Sequence, residues 1–294
     1  MNFKPMLSAT LTEELLHTLR YPLLLSPKLD GFRCIVWEGV AYSRNAKPIR
    51  NRFIQEWAAD KHNLDGELIV GYPTGDDVFG RTSSGVTSAG GEPNFFYHLF
   101  DAPEGEHPNF EWRRQHVADE YREENRIVIV PHAYITQESQ LLRLEQRYLD
   151  EGYEGIMLRS PAGPYKHGRS TMREQYLMKF KRFIDGEAVV IRLEEGRHNA
   201  NEAFTDELGR TKRQTLQENM QGNGMVGTLI CLDPTWGEIR VSAGKMTHEA
   251  RKNWWAWNHG KFRTLIGQTI HWRSFGYGTK DAPRFARFYG IKED

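Results

Sequence analysis

Leu23-Leu24-Leu25-Ser26-Pro27-Lys28-Leu29-Asp30-Gly31-Phe32-Arg33-Cys34-Ile35-Val36-Trp37, residues 23–37, decides how the rest of the chain is read. Two runs in it, Leu23 to Ser26 and Phe32 to Trp37, have the length and apolar character of short strands. Asp30-Gly31 between them is a turn signal. Lys28 therefore stands at a strand end, beside a carboxylate and a turn glycine. K-x-D-G taken alone turns up by chance in roughly one chain of this length in a dozen. A solvated strand-end lysine next to an Asp-Gly turn is then the plain alternative, and the decision rests on what surrounds it.

Upstream, Thr12 is followed by acidic Glu13 and Glu14, and Leu11, Leu15, Leu16 and Leu19 fall at helical spacing, which predicts a first helix over 11–19. Downstream, β-like runs at Leu68 to Val70, Phe95 to Phe100, Ile127 to Val130 and Ile156 to Leu158 are separated by helical stretches near 50–59, 110–123 and 138–150. Residues 79–93, FGRTSSGVTSAGGEP, are rich in Gly, Ser and Thr and predict a flexible surface loop with one short turn of helix. The texture changes after Arg182. Strands are expected at 188–193, 225–232, 238–241 and 269–274, with one helix over 247–257, a pattern suited to a small β-barrel. The boundary falls at 183–186, giving a first domain over 1–183 and a second over 184–294. Within the second, the polar stretch 199–224 predicts a long mobile insertion between strands.

The 294 residues leave room for about two domains. With 39% hydrophobic residues, 8 Trp, 12 Tyr and 15 Phe, the chain has the material for a sizeable core, which excludes wholesale disorder. The longest apolar run, around Tyr21 to Leu25, is far short of a bilayer span, so no membrane partner is expected. The first residues lack the pattern of a signal peptide, so the expected location is the cytoplasm, or a host's cytoplasm for a viral protein. Cys34 and Cys231 are too few and too far apart for a disulfide framework or a Cys-rich zinc site. Lys+Arg and Asp+Glu stand at 39 each, and residues 184–294 hold 16 basic against 14 acidic groups. Any contact with a polyanion must use local patches.

The order of further elements gives Lys28 its meaning: Ser43-Arg44-Asn45, Leu64-Asp65-Gly66-Glu67-Leu68, Phe100-Asp101, Glu154-Gly155-Ile156-Met157 and Lys179-Phe180-Lys181. A lysine amine is a nucleophile only when unprotonated, and a free lysine with a pKa near 10.4 is almost wholly charged at neutral pH. Neighbouring cations, such as Lys179, Lys181 and a bound Mg²⁺, would favour the neutral form, while a carboxylate alone would oppose it. Lys179 and Lys181 alternate with Met178 and Phe180 at strand period, so both should face one side and could grip a phosphate. Glu67 and Glu154 supply hard oxygen ligands of the kind Mg²⁺ takes beside phosphate and water. The stretch 165–182, YKHGRSTMREQYLMKFKR, holds six Lys or Arg against one Glu and suits a surface that tracks phosphates, with Lys166 and Arg169 in it.

Those motifs, in that order and at those spacings, resemble the nucleotidyltransferase motifs of ATP-dependent DNA ligases, particularly the compact viral and phage type, over nearly the whole chain. The resemblance implies an α+β fold: a nucleotidyltransferase domain of ATP-grasp-like antiparallel sheets with helices, followed by an OB-fold β-barrel. It implies Lys28 as the nucleophile that carries AMP, with Lys179 and Lys181 on the α-phosphate. Asp30, Arg33, Glu67, Phe100 and Glu154 would hold the nucleotide, with Arg33 on the ribose, Phe100 stacked on adenine, and Glu67 and Glu154 as metal ligands. Arg44, Ser43, Lys166 and Arg169 would meet DNA phosphate. Lys280, Arg284 and Arg287 on the barrel would orient the pyrophosphate leaving group. Two departures stand out: Asp281 and Ile291-Lys292 break the family's last motif, and Ser26 replaces the acid that often reads the adenine amino group two positions before the nucleophile. The implied cofactors are ATP and Mg²⁺ or Mn²⁺, the implied substrate nicked duplex DNA, and the expected state a monomer whose barrel swings between ATP and DNA. An RNA ligase or an mRNA-capping guanylyltransferase shares the K-x-D-G lysine and is the nearest alternative. A non-catalytic DNA-binding or clamping protein is the alternative from another class.

Overall fold

The computed structural model describes residues 4–75, 77–104, 108–205, 211–213, 217–258, 264–274, 283 and 285–292. The chain divides into two compact units, Met1–Lys181 and Arg182–Asp294. In chain order the first contains β1 (Ala9–Leu11), β2 (Leu23–Pro27), β3 (Phe32–Trp37), β4 (Val40–Ser43), α1 (Arg52–Ala58), β5 (Leu64–Val70) and α2 (Val78–Thr87). It continues with β6 (Phe95–Asp101), α3 (Phe110–Tyr121), β7 (Ile127–Ile129), β8 (Ala133–Ile135), α4 (Glu138–Asp150), β9 (Ile156–Arg159) and β10 (Leu177–Phe180).

Two five-stranded sheets organise this unit, ordered β1-β10-β9-β2-β8 and β4-β3-β5-β6-β7. All neighbours are antiparallel except β1 with β10 and β6 with β7. The strands Leu23–Pro27 and Phe32–Trp37 thus fall in different sheets, and the K-x-D-G segment is the connection between them. Each sheet has its own core: Leu23, Leu25, Ile156, Leu158, Met178 and Phe180 in the first, Cys34, Val36, Leu64, Leu68, Phe95, Tyr97 and Leu99 in the second.

Two local expectations are corrected here. Residues 79–93 were expected to be a loop, but Val78–Thr87 is an α-helix of ten residues. Val78, Thr82 and Val86, four apart, are buried on one face, and the Thr82 hydroxyl accepts a hydrogen bond from Val70 N at 3.1 Å. Asn51 caps α1 through Ile54 N, and its amide donates to the Gly85, Ser88, Gly90 and Gly91 carbonyls at 3.1 to 3.3 Å, which orders the end of the stretch. Composition signalled flexibility, and tertiary hydrogen bonds overrode it. The helix expected over 11–19 is shorter and tighter, a 3₁₀ helix at Glu13–Thr18, because Leu11 belongs to β1, where it pairs with Phe180.

The second unit holds β11 (Ile184–Asn199), β12 (Ala203–Thr205), β13 (Thr211–Arg213), β14 (Met220–Asp233), β15 (Gly237–Ser242), α5 (His248–Asn258), β16 (Thr269–Ser274) and β17 (Arg287–Ile291). Strands β11, β14, β15, β17 and β16 close a barrel around Val190, Leu229, Cys231, Val241, Ile270 and Trp272. The Trp272 indole donates to Asp233 Oδ2 at 2.9 Å, so the largest core side chain has its polar atom satisfied. The mixed α+β architecture with a closing barrel is the one expected. The insertion expected over 199–224 is strand in its described parts: β11 and β14 extend past the barrel as a paired arm, with His198 opposite Gln221 and Asn199 opposite Met220, and β12 pairs with β13 beyond it, while 206–210 and 214–216 lie outside the described residues. Its alternation was hidden by polar residues, because an arm exposed on both faces has no apolar face to mark it.

Candidate active site

The first unit contains a cavity of about 230 Å³, lined by residues of both of its sheets and the segments between them. Its construction starts at Lys28. Lys28 N donates to the Gly155 carbonyl at 2.8 Å and Glu154 N donates to the Lys28 carbonyl at 3.3 Å, which extends the β2–β9 ladder past Pro27 and Ile156. Glu154 is thereby held against Lys28, and its carboxylate bridges two ammonium groups, Lys28 Nζ on Oε2 and Lys181 Nζ on Oε1. Gly155 permits this approach. Its φ is +146°, and a Cβ there would lie 2.5 Å from the Phe180 carbonyl oxygen. Gly31 has the same kind of role on the other strand, since a Cβ would lie 2.4 Å from the Leu68 carbonyl oxygen and 2.8 Å from Glu67 Cγ. The two glycines of the K-x-D-G and E-G motifs let the lysine and both acids share one space.

Burial would raise the Glu154 pKa, but the Lys28 and Lys181 charges outweigh it and hold the carboxyl below its usual range. Glu67, opposite Arg33 in the β3–β5 ladder, behaves in the opposite way. Burial pushes it up to about 7, against the pull of Arg33 and Lys28 and with the help of Glu154 and Asp30. No described residue donates a hydrogen bond to its carboxylate. Lys179 lies one strand from Met157 and lines the cavity. Its pKa is lowered by burial and by Lys28, Arg169 and Arg44, all cavity residues, so the cations crowd where an anion would relieve them.

Arg33 lines the cavity with its guanidinium already engaged, Nε on Asp65 Oδ1 at 2.6 Å and Nη2 on Asp65 Oδ2 at 2.5 Å. Burial opposes its charge, and Asp65 more than restores it, so its pKa is raised. Tyr165 donates its hydroxyl to Asp65 Oδ2 at 2.7 Å and fixes the carboxylate from the other side. The Arg33 guanidinium lies 4.6 Å from the centre of the Phe100 ring, and Arg159 lies 5.5 Å from the same ring. Arg159 is anchored by Asp101, which also accepts from Arg113 Nε at 2.9 Å.

The site residues expected from sequence are distributed as follows. Lys28, Arg33, Arg44, Glu67, Phe100, Arg169 and Lys179 line the cavity. Glu154 and Lys181 adjoin it through their ion pairs with each other and Lys28. Asp30 is half-buried and reaches the site through its effect on Glu67. Ser43 is the last residue of β4, its hydroxyl accepting from Lys47 N at 3.3 Å across the following turn. Lys166 is paired with both oxygens of Glu174 at 2.7 and 2.8 Å. Arg287 is at the start of β17 in the second unit, while Lys280 and Arg284 lie outside the described residues. Sequence reasoning missed Arg159, Asp65, Tyr165 and His132. Asp65, Arg159 and Tyr165 sit inside or next to quoted motifs or stretches, so adjacency was their signal; His132 carried none.

A family model described as the ATP dependent DNA ligase domain matches residues 5–181, and one described as the DNA ligase OB-like domain matches residues 219–292. A DNA ligase of African swine fever virus (isolate Pig/Kenya/KEN-50/1950) is 26% identical over 138 residues, 46% of this chain and 32% of that relative. The match therefore spans about a third of the length of that curated relative. Among solved structures, a Chlorella virus DNA ligase-adenylate is 26% identical with a TM-score of 0.55, covering 99% of both chains. A Lig E DNA ligase structure, 22% identical, has a TM-score of 0.71 over 97% of this chain and 98% of its own, a likeness of fold. With the first of these models covering more than half of its length and the second most of its barrel, the chain belongs to the ATP-dependent DNA ligase family.

Proposed function

We propose that this chain seals nicks between a 5′-phosphate and a 3′-hydroxyl in duplex DNA, using ATP and a divalent cation, Mg²⁺ or Mn²⁺. The observation that carries the reading is the junction of Lys28, Glu154 and Lys181 at the edge of a cavity lined by cations, Lys179, Arg44 and Arg169, and by flat or apolar groups, Phe100 and Met157. A nucleotide laid there sets its α-phosphate on Lys179 and its base on the second group, leaving Arg44 and Arg169 for DNA phosphate.

The chemistry proceeds in three phosphoryl transfers, each with positioning and charge neutralisation as its main demand. Lys28 Nζ attacks the α-phosphorus of ATP; an N–P bond forms, the P–O bond to pyrophosphate breaks, and the nitrogen gives up its proton. This requires the Lys28–Glu154 pair to open and the ammonium to pass a proton to water before attack, since an ammonium has no lone pair to offer. A 5′-phosphate oxygen of the nick then attacks the same phosphorus and releases Lys28. The 3′-hydroxyl finally attacks the 5′-phosphorus and expels AMP. Lys179, crowded by like charges, is the group best placed to gain from an arriving phosphate.

The donor set suits Mg²⁺, which takes one or two carboxylates together with phosphate oxygens and water. Glu67 would hold it, being a buried carboxylate without a hydrogen-bond donor, and Glu154 would join once its lysines let go. The cation would supply neutralisation of phosphate charge. Arg44 and Arg169 are the proposed contacts to DNA phosphate, with Ser43 and Lys166 in support once their local partners are exchanged. Arg287, Lys280 and Arg284 are proposed for the pyrophosphate. No helix among the described residues is long and apolar enough to cross a membrane. We propose a monomer acting in the cytoplasm, or in a host's.

The test is a pulse and chase with α-labelled ATP, Mg²⁺ and then nicked duplex DNA. Label entering the protein and leaving as AMP while the nick closes is expected. Labelled protein that discharges only to RNA would transfer the reading to RNA ligases, and protein that never takes label would overturn it.

A further inference from the structure

One histidine of the cavity has no part in the chemistry above. His132 joins β7 to β8 and lines the cavity with Ser26 and Met157. The β2–β8 ladder ends where Leu25 faces Ala133, so His132 and Ser26 each lie one residue beyond that pair, and Ser26 faces Met157 on its other side.

The ring's chemistry is fixed by its neighbours. Nδ1 lies 2.9 Å from the Val130 carbonyl oxygen, which can only accept, so Nδ1 carries the proton. Burial and the Arg159 charge lower its pKa to about 3, so the ring is neutral at physiological pH and Nε2 presents a lone pair. That Nε2 is buried and has no hydrogen-bond partner. Phe110 packs edge-on against the ring at 5.3 Å and restrains it. A buried acceptor without a donor is a standing cost that a ligand donor removes.

We propose that His132 Nε2 accepts the exocyclic amino group of a 6-aminopurine, and so selects ATP over nucleotides with a carbonyl at that position. This rests on the nucleotide reading above and deepens it. Guanine would set its C6 oxygen against the Nε2 lone pair, acceptor to acceptor, a mismatch that repels as well as forfeiting a bond. The Ser26 hydroxyl can donate or accept and cannot make this distinction alone.

The test measures kcat/KM for transfer of label to the protein from ATP, GTP and purine riboside triphosphate, which lacks the 6-amino group. The unmodified chain should prefer ATP over the desamino analogue by about tenfold. H132F, which keeps an aromatic ring and removes the acceptor, should lose most of this preference by lowering ATP use far more than analogue use. H132Q, whose amide oxygen can accept, should retain it. Equal use of ATP and the desamino analogue by the unmodified chain overturns the assignment without recourse to a variant. So does an H132F protein that loses both substrates in equal proportion, since His132 would then only pack. Absence of label from every nucleotide in the unmodified chain overturns the ligase reading itself, a distinct result.

Discussion

Replacing Glu67 with Gln should make the chain more stable at alkaline pH while removing its function. Glu67 is pushed from its ordinary value of 4.5 to about 7, chiefly by burial. The folded state therefore binds this proton more tightly than the unfolded chain does. Its contribution to stability is fully present below pH 4.5 and is lost as pH rises through 7. At 1.36 kcal/mol for each tenfold change in proton affinity, the complete loss is about 3 kcal/mol, of which roughly 2 to 3 kcal/mol falls between pH 5 and 8.5. The glutamine keeps the shape and cannot ionise. Thermal unfolding of both proteins in EDTA should then show their midpoints diverging with pH, the variant gaining roughly 5 to 10 °C over its parent between pH 5 and 8.5. Added Mg²⁺ should raise the midpoint of the unmodified chain at pH 8.5 and leave the variant's unchanged. Transfer of AMP to the protein should fall sharply in the variant at every pH. Parallel pH profiles for the two proteins would refute the claim that burial without a donor sets the state of Glu67.

Asp65→Asn should destabilise the first unit by about 3 to 5 kcal/mol, read by urea unfolding, because it leaves the Arg33 guanidinium buried without its counter-charge; a loss below about 1 kcal/mol would contradict the assigned pairing. Joining His198 to Gln221, which face each other in the arm, through an Asn-Gly turn should remove 199–220 without disturbing the barrel ladder. The shortened chain should form lysyl-AMP at an unchanged rate and bind nicked DNA more weakly in gel-shift titrations; unchanged affinity would remove the arm from the DNA contact.

How far the sequence reached differed from element to element. Strands buried on both faces, such as Leu23–Pro27 and Phe32–Trp37, were legible as apolar runs, and so was the lysine between them. The helix at Val78–Thr87 was not, because its stability comes from Asn51 and Val70, distant in sequence, and its own residues read as a loop. The motif residues Lys28, Glu67, Phe100 and Lys179, which line one cavity, could be singled out because their order along the chain is informative. Their present partners were not. The Glu154 bridge between two lysines and the Asp65 clamp on Arg33 depend on which strands pair, and only the sheet order reveals that. His132 was invisible for the same reason: its importance lies in an unsatisfied nitrogen, which a sequence cannot display.

The measurement closest to the central claim is the site of attachment. The purified chain is incubated with ATP and Mg²⁺, digested under conditions that preserve phosphoramidates, and mapped by mass spectrometry. AMP is expected on the peptide containing Lys28 and nowhere else, with Lys28→Ala carrying none while still binding nicked DNA. AMP on Lys179, Lys181 or any other residue, or AMP retained by the Lys28→Ala chain, would contradict it.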